Sequence, residues 1–349
     1  MNSSFSNLKK KSAYFLKFFL FLIFFPLRLI IFLYSIFVYK FFNIKNSKKS
    51  YLFFIYLFCI TGGWINSLVT ILLSKKIFFF KYDENKRFSD FQKINSDLKE
   101  KGYYQQENFL TDSEFEKINN YISTLKGYFI SDHLLNEKQP LQTINFNDIK
   151  GAKFNYQSND LLNNHEIQKL LINNNILKIS QEYLGSAPLI DNVSAWWSFP
   201  TDKPDSSAAQ LWHFDFERPK WIKVFLYLTD CNESNGPHCF IEGSHKNAAI
   251  PLLIRLKMYA RIEDDYVNNF FSKDIIKVIT AKKKSILFED TRGLHKGMKV
   301  KEGKRLILQF QYSSSMFGAE TNKLKFPNSI SKEFLNSKNK FPEIFENFE

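Results

Sequence analysis

The sequence predicts an α+β chain in which apolar helical segments come first, helices of mixed character follow, and strands fill much of the C-terminal half. Three observations predict it. Two runs of more than 20 residues with almost no charge precede residue 80, mixed charged sequence begins after Phe80, and β-branched and aromatic runs of strand length begin near residue 187. A chain of 349 residues, 44% hydrophobic, can bury a core as one large or two medium domains, and its 12 Gly, 10 Pro and 3 Cys exclude collagen-like, disordered and disulfide-stapled classes.

The apolar segments are basic as well as rich in phenylalanine. Residues 1–80 hold 11 Lys and Arg and no Asp or Glu, so nearly all of the formal charge of +13 belongs to them. The other 269 residues are close to neutral, which removes the main support for a nucleic-acid partner. The run 51–73 is uncharged over 23 residues. As a helix it is roughly 35 Å long, enough for a hydrocarbon core of about 30 Å. The run 18–39 is equally apolar except for Pro26 and Arg28. An arginine at mid-span costs about 2.5–3.5 kcal/mol, so this run is either a second span or an interfacial helix bent at Pro26. Basic residues flank both runs, and the positive-inside rule does not choose an orientation. Residues 1–80 are therefore expected to be a membrane anchor with candidate spans at 18–39 and 51–73.

Residues 81–95 read as a charged linker, 96–315 as the soluble domain and 316–349 as a polar tail of weak pattern. Thr111 and Glu114 make a capping-box pattern ahead of Phe115, Ile118 and Ile122, predicting a helix of about 14 residues. Apolar period from Ile167 to Tyr183, closed by Gly185, predicts another. Strands are expected across 187–240 and 275–313, with a helical or loop insertion at 246–274 between them.

The chemistry concentrates in a few side chains. His213 and Asp215 stand two apart in HFD, which on a strand points both to one face and offers two metal ligands. A strand-end hydrogen-bonded pair would look the same. More follows in sequence: the strand IKVFLYL, the turn NGPHCFIEGSHK, then FEDTRGLHKG with His295, and Arg305 on the alternating run RLILQFQY. Together with KGYYQQENFLTDSEF at the start of the domain, this set resembles the phytanoyl-CoA dioxygenase family over roughly residues 100–315.

The resemblance implies a double-stranded β-helix, or jelly roll, with flanking helices. It also implies that His213, Asp215 and His295 hold iron(II) and that Arg305 binds the distal carboxylate of the co-substrate 2-oxoglutarate. The residue chemistry agrees. Two imidazoles and one carboxylate leave three adjacent octahedral positions for a bidentate co-substrate and O2, and the planar fork of an arginine suits a carboxylate. Lys304 is the fallback if the register differs, although alternation puts it on the other face. Gln210, Lys223 and Phe225 are further candidates for the pocket wall.

The remaining histidines read as structural or surface residues, with His245 shaping a turn and His238 exposed. Cys59, Cys231 and Cys239 read as free thiols. Trp196, Trp197, Trp212 and Trp221 read first as core and second as walls for a hydrophobic substrate. The expectation is a membrane-held dioxygenase that hydroxylates a small or lipidic molecule, with its catalytic domain in the cytoplasm where iron(II), 2-oxoglutarate and unpaired thiols belong. The rival is a non-catalytic, membrane-bound binding or scaffold protein that keeps the fold.

Overall fold

The computed structural model describes residues 24–83, 88 and 90–349. Its first elements are the helices α1 (Phe24–Phe42), α2 (Lys48–Thr61) and α3 (Trp64–Leu73). Among the described helices α1 alone is long and apolar enough to cross a membrane; the earlier part of the expected run 18–39 lies outside the described residues.

The run 51–73 departs from expectation. It is not one span but two helices broken at Gly62 and Gly63, whose φ values of 66° and 97° lie where glycine carries no Cβ penalty. Neither piece reaches the ~20 residues a spanning helix needs. The first piece is core: α2 buries Phe53, Phe54, Ile55, Leu57, Phe58 and Cys59. Absence of charge alone does not distinguish a helix facing lipid from one buried in protein.

Helix α4 (Phe91–Glu100) leads into strand β1 (Tyr103–Gln106) and helix α5 (Asp112–Thr124), where both halves of the Thr111–Glu114 capping box form. Strands β2 (Lys126–Ile130), β3 (Gln142–Thr143) and β4 (Lys153–Tyr156) follow, then helices α6 (Ser158–Leu161), α7 (His165–Leu171) and α8 (Asn174–Leu184). The single helix expected over 167–183 is thus two. The Asn173 side chain accepts from the backbone N–H groups of Asn175 and Ile176 and starts a new helix inside the apolar pattern.

The β-rich part holds β5 (Leu189–Ser198), β6 (Trp221–Tyr227), β7 (His238–Ile241), β8 (Ile276–Ile279), β9 (Ile286–Glu289), β10 (His295–Gly297) and β11 (Arg305–Ser313). The insertion between β7 and β8 carries the short helices α9 (Leu252–Arg255) and α10 (Asp264–Asn268). Eight strands pair in the order β1-β9-β6-β11-β5-β4-β2-β3, and three more in the order β10-β7-β8, all antiparallel. Trp196, Phe225, Leu287 and Ile307 of the larger sheet meet Phe240 and Ile279 of the smaller, giving the two facing sheets of a jelly-roll-like fold. The other face of the larger sheet presents Val224, Leu306, Leu308, Phe310 and Tyr312 to Ile118, Ile122, Ile176 and Ile179 of the helices.

The segment 316–349, expected to be a polar tail, contains helix α11 (Lys332–Lys340) and buries Phe317, Leu324, Phe334, Ile344, Phe345 and Phe348. Its apolar residues are dispersed among Lys and Asn, so no periodic pattern announces them.

Candidate metal centre

The segment carrying His213 adds to the edge of the smaller sheet. His213 N–H donates to the His295 carbonyl at 3.0 Å, and His295 N–H returns the bond at 2.8 Å. This reciprocal pair brings together two residues 82 positions apart and sets their rings 4.2 Å centre to centre. Alternation then turns His213, Asp215 and Glu217 to the inside and Phe214 and Phe216 to the outside. There the two rings pack on Phe58 of α2 at 5.7 and 5.2 Å. The helix read as a membrane span is the wall behind the candidate ligands.

The ligand atoms of His213, Asp215 and His295 all lie within 4.8 Å of one another. Asp215 carboxylate oxygens stand 3.9 Å from His213 Nε2 and 3.7 Å from His295 Nε2. Each ring donates its Nδ1–H to a backbone carbonyl two residues back, His213 to Leu211 at 2.8 Å and His295 to Gly293 at 2.9 Å. Those bonds set the tautomer, and the lone pair of each Nε2 is left facing Asp215. The donor set fits a divalent metal with open positions.

The sequence-predicted neighbours are brought to the same place with different parts. Lys223 reaches Asp215 Oδ2 at 2.6 Å. Burial alone would raise the Asp215 carboxyl, but the Lys223 ammonium beside it holds it well below the usual carboxylate range. Phe225 packs edge-on against the ring of His238 at 4.4 Å, and His238, expected on the surface, is buried because β7 is the central strand of the smaller sheet. Gln210 Oε1 accepts from the Asp205 N–H at 2.9 Å and from the Thr201 hydroxyl at 3.3 Å, which pins the loop before the HFD segment. Lys304 lies exposed on the outer side, its ammonium 3.6 Å from the Phe146 ring centre.

Arg305 starts β11 opposite Ser198 of β5, and Ser198 is opposite Lys153 of β4. The three share one face of the sheet. Arg305 is 4% exposed, yet its Nε and Nη1 have no hydrogen-bond partner. Lys153, which carries no motif in the sequence, stands over the Trp196 ring at 4.1 Å. Burial, with help from Arg305 and Lys223, pushes its amine down to about 7. Glu217 is a further buried acid on the inner side, pushed up to about 7 by burial and then by Asp215. The polar/apolar alternation of KFNY, with Lys153 and Asn155 on one face, is the one signal in sequence that points to Lys153.

A family model described as phytanoyl-CoA dioxygenase matches residues 98–279, just over half of the chain. That range contains His213 and Asp215 and ends before His295 and Arg305. Among solved structures, EctD from S. alaskensis with bound Fe is similar at 14% identity and a TM-score of 0.44, covering 72% of this chain and 84% of that one. HygX from Streptomyces hygroscopicus with nickel, 2-oxoglutarate and hygromycin B bound is similar at 13% identity and a TM-score of 0.43, covering 70% and 93%. The non-heme alpha ketoglutarate dependent carbocyclase SnoK from nogalamycin biosynthesis is similar at 14% identity and 0.44, covering 63% and 83%. A search of curated proteins found no match.

Proposed function

The chain belongs to the phytanoyl-CoA dioxygenase family, and from that premise we propose that it is an iron(II)- and 2-oxoglutarate-dependent dioxygenase, held at a membrane, that hydroxylates a small or lipidic substrate. The observation that carries the reading is the pairing of a tautomer-locked His213–Asp215–His295 set with a buried arginine whose donors are unused. A metal answers the first and an anion the second.

In this reading His213, Asp215 and His295 hold the metal, and Arg305, helped by Lys153 and Ser198, holds the far carboxylate of the co-substrate. Iron(II) and 2-oxoglutarate, when bound, supply the O2-derived oxidant for C–H hydroxylation and yield succinate and CO2. The chain's own part is to fix these groups and keep water out. Trp196, Phe225, Leu287 and Ile307 form the apolar layer that does so. Asp215 would offer its carboxylate to the metal with Lys223 as its ion-pair partner. Since Asp215 keeps its charge in this field, the three-ligand set stays anionic enough to retain a divalent ion.

One observation favours the rival, a binding protein without turnover: Lys223 already neutralises Asp215. Anaerobic titration of the full chain with iron(II) and then 2-oxoglutarate separates the two. A visible absorption band from the metal-bound keto acid, absent in Asp215→Ala, is the expected result; no band in the parent protein would overturn the dioxygenase reading.

A further inference from the structure

Helix α1 has two faces. Phe32, Ile36 and Tyr39 follow the i, i+4, i+7 spacing of one stripe and are buried, Phe32 and Tyr39 against Phe317. At the end of that stripe the Tyr39 hydroxyl donates to Glu346 at 2.9 Å and accepts from the Met316 N–H at 2.7 Å. The opposite face leaves Leu27, Ile30, Tyr34, Phe37 and Phe41 between 51% and 66% exposed. A helix seated along a folded domain by one stripe is not surrounded by lipid, as a span through the bilayer is. Its geometry is that of a helix lying in the plane of the interface.

The apolar surface continues beyond the N-terminal helices. A groove of about 490 Å³ runs between α1 and α2 as far as Met258. Arg255 of α9 donates to the carbonyls of Cys59 and Ile60 at the C-terminal end of α2. This latch holds Leu252, Leu253 and Leu256, 48–61% exposed, next to Ile60, itself 50% exposed. Three residues on, Tyr259 packs on Phe216 at 5.0 Å and bonds to the Tyr51 hydroxyl, and Ile262 pairs with Trp212, the neighbour of His213. Apolar area of this extent is what soluble monomers avoid.

Charge names the occupant. Residues 24–81 contain eight Lys and Arg and no Asp or Glu. Ile71 on α3, 72% exposed, borders a cavity of about 570 Å³ whose wall carries Lys99 and Lys220. The apolar faces of α1 and α3, in a segment whose charges are all basic, match an anionic lipid surface.

We propose that the open faces of α1 and α3, together with the leucines of α9, dock in the plane of an anionic bilayer, so that the insertion beside the metal ligands is itself a membrane contact. This deepens the membrane-held part of the reading above and does not depend on turnover.

The test uses the full chain with Leu253→Cys. The three native cysteines are buried, so a thiol-reactive, polarity-sensitive fluorophore goes to position 253. On vesicles of equimolar phosphatidylcholine and phosphatidylglycerol the emission should shift to the blue and be quenched by lipids brominated on their chains, while a label at Glu137→Cys stays aqueous. Pure phosphatidylcholine or high salt should weaken both binding and shift. If the protein floats with vesicles but the label at 253 stays aqueous, the proposal is overturned and anchoring stands; if it does not float at all, both fall. A blue shift without vesicles that grows with protein concentration would assign the surface to a second copy instead. A label at Ser12→Cys shielded by the bilayer from an impermeant quencher on the domain's side would mean that the chain crosses, and would overturn the in-plane geometry.

Discussion

Arg218 and Arg305 are buried in the same β-rich domain, at 1% and 4% exposed, but their surroundings are opposite. Arg218 places Nε and Nη2 on Asp191 at 2.8 and 2.9 Å, and its other donors reach the Ala319 carbonyl at 2.6 Å and the Thr321 hydroxyl at 2.8 Å. Asp191 in turn accepts from Gln311 and Ser313. Arg305 has two donors with no partner and a third that reaches only Ser198, at 3.4 Å. The first arginine ties the segment after β11 to β5. The second is positioned by the sheet and left incomplete, at a cost of about 1–3 kcal/mol for each buried unsatisfied group. A buried charge whose donors are all used serves the fold, and one whose donors are spare has them open to an anion.

The comparison breaks most visibly in stability. Arg218→Leu strands the Asp191 carboxylate in the core and should cost about 3–5 kcal/mol, whereas Arg305→Met should leave stability within about 1 kcal/mol of the parent or raise it. Urea unfolding of the two variants checks this, and equal losses would mean that Arg305 is also a staple. Co-substrate affinity should sort them the other way. Arg305→Ala should weaken 2-oxoglutarate binding by about 2–5 kcal/mol, read from the iron(II) absorption titration, while Arg218→Lys, if folded, should bind as the parent does.

A smaller effect sharpens the role of Lys153. Its amine is pushed down to about 7, by burial first and then by Arg305 and Lys223, so it is charged below that pH and neutral above it. Affinity for a dianion should therefore fall as pH rises through neutrality, by up to about tenfold per pH unit for one proton. Lys153→Met should bind more weakly and lose this slope; a slope unchanged in Lys153→Met would assign it to another group. The smallest effect belongs to Lys304→Ala. That side chain forms an exposed cation–π contact with Phe146, worth about 0.5–1 kcal/mol in stability, and calorimetry should show 2-oxoglutarate affinity unchanged.

Much of the centre was legible because it is written in local alternation. HFD puts two ligands on one face, and RLILQFQY puts Arg305 with Ile307, Gln309 and Gln311 and away from the apolar packing face, as β11 does. Lys153 was not legible as a neighbour of Arg305, because the link passes through Ser198 on a third strand and depends on register between segments about 150 residues apart. His238 looked exposed after a Pro-containing turn, and only the pairing of β7 between β8 and β10 buries it. In the N-terminal part composition was informative about apolarity and silent about its partner, so α2 and α3 passed for one span until the left-handed pair Gly62–Gly63 divided them.

The bond from Tyr39 to Glu346 closes a loop of 307 residues. During synthesis at about 5–20 residues per second, roughly 15–60 s pass between the emergence of one partner and that of the other. Phe58 waits similarly for Phe214 and Phe216. Helices α1 and α2 are thus made well before the segments that seat them, and throughout that interval their aromatic stripes are a hazard for misassembly with other nascent chains. On the membrane-held reading, anionic lipid would give this lysine-rich segment a place to wait until the finished sheets recruit it. The N-terminal helices would then be sheltered first and only later become the wall behind His213 and Asp215.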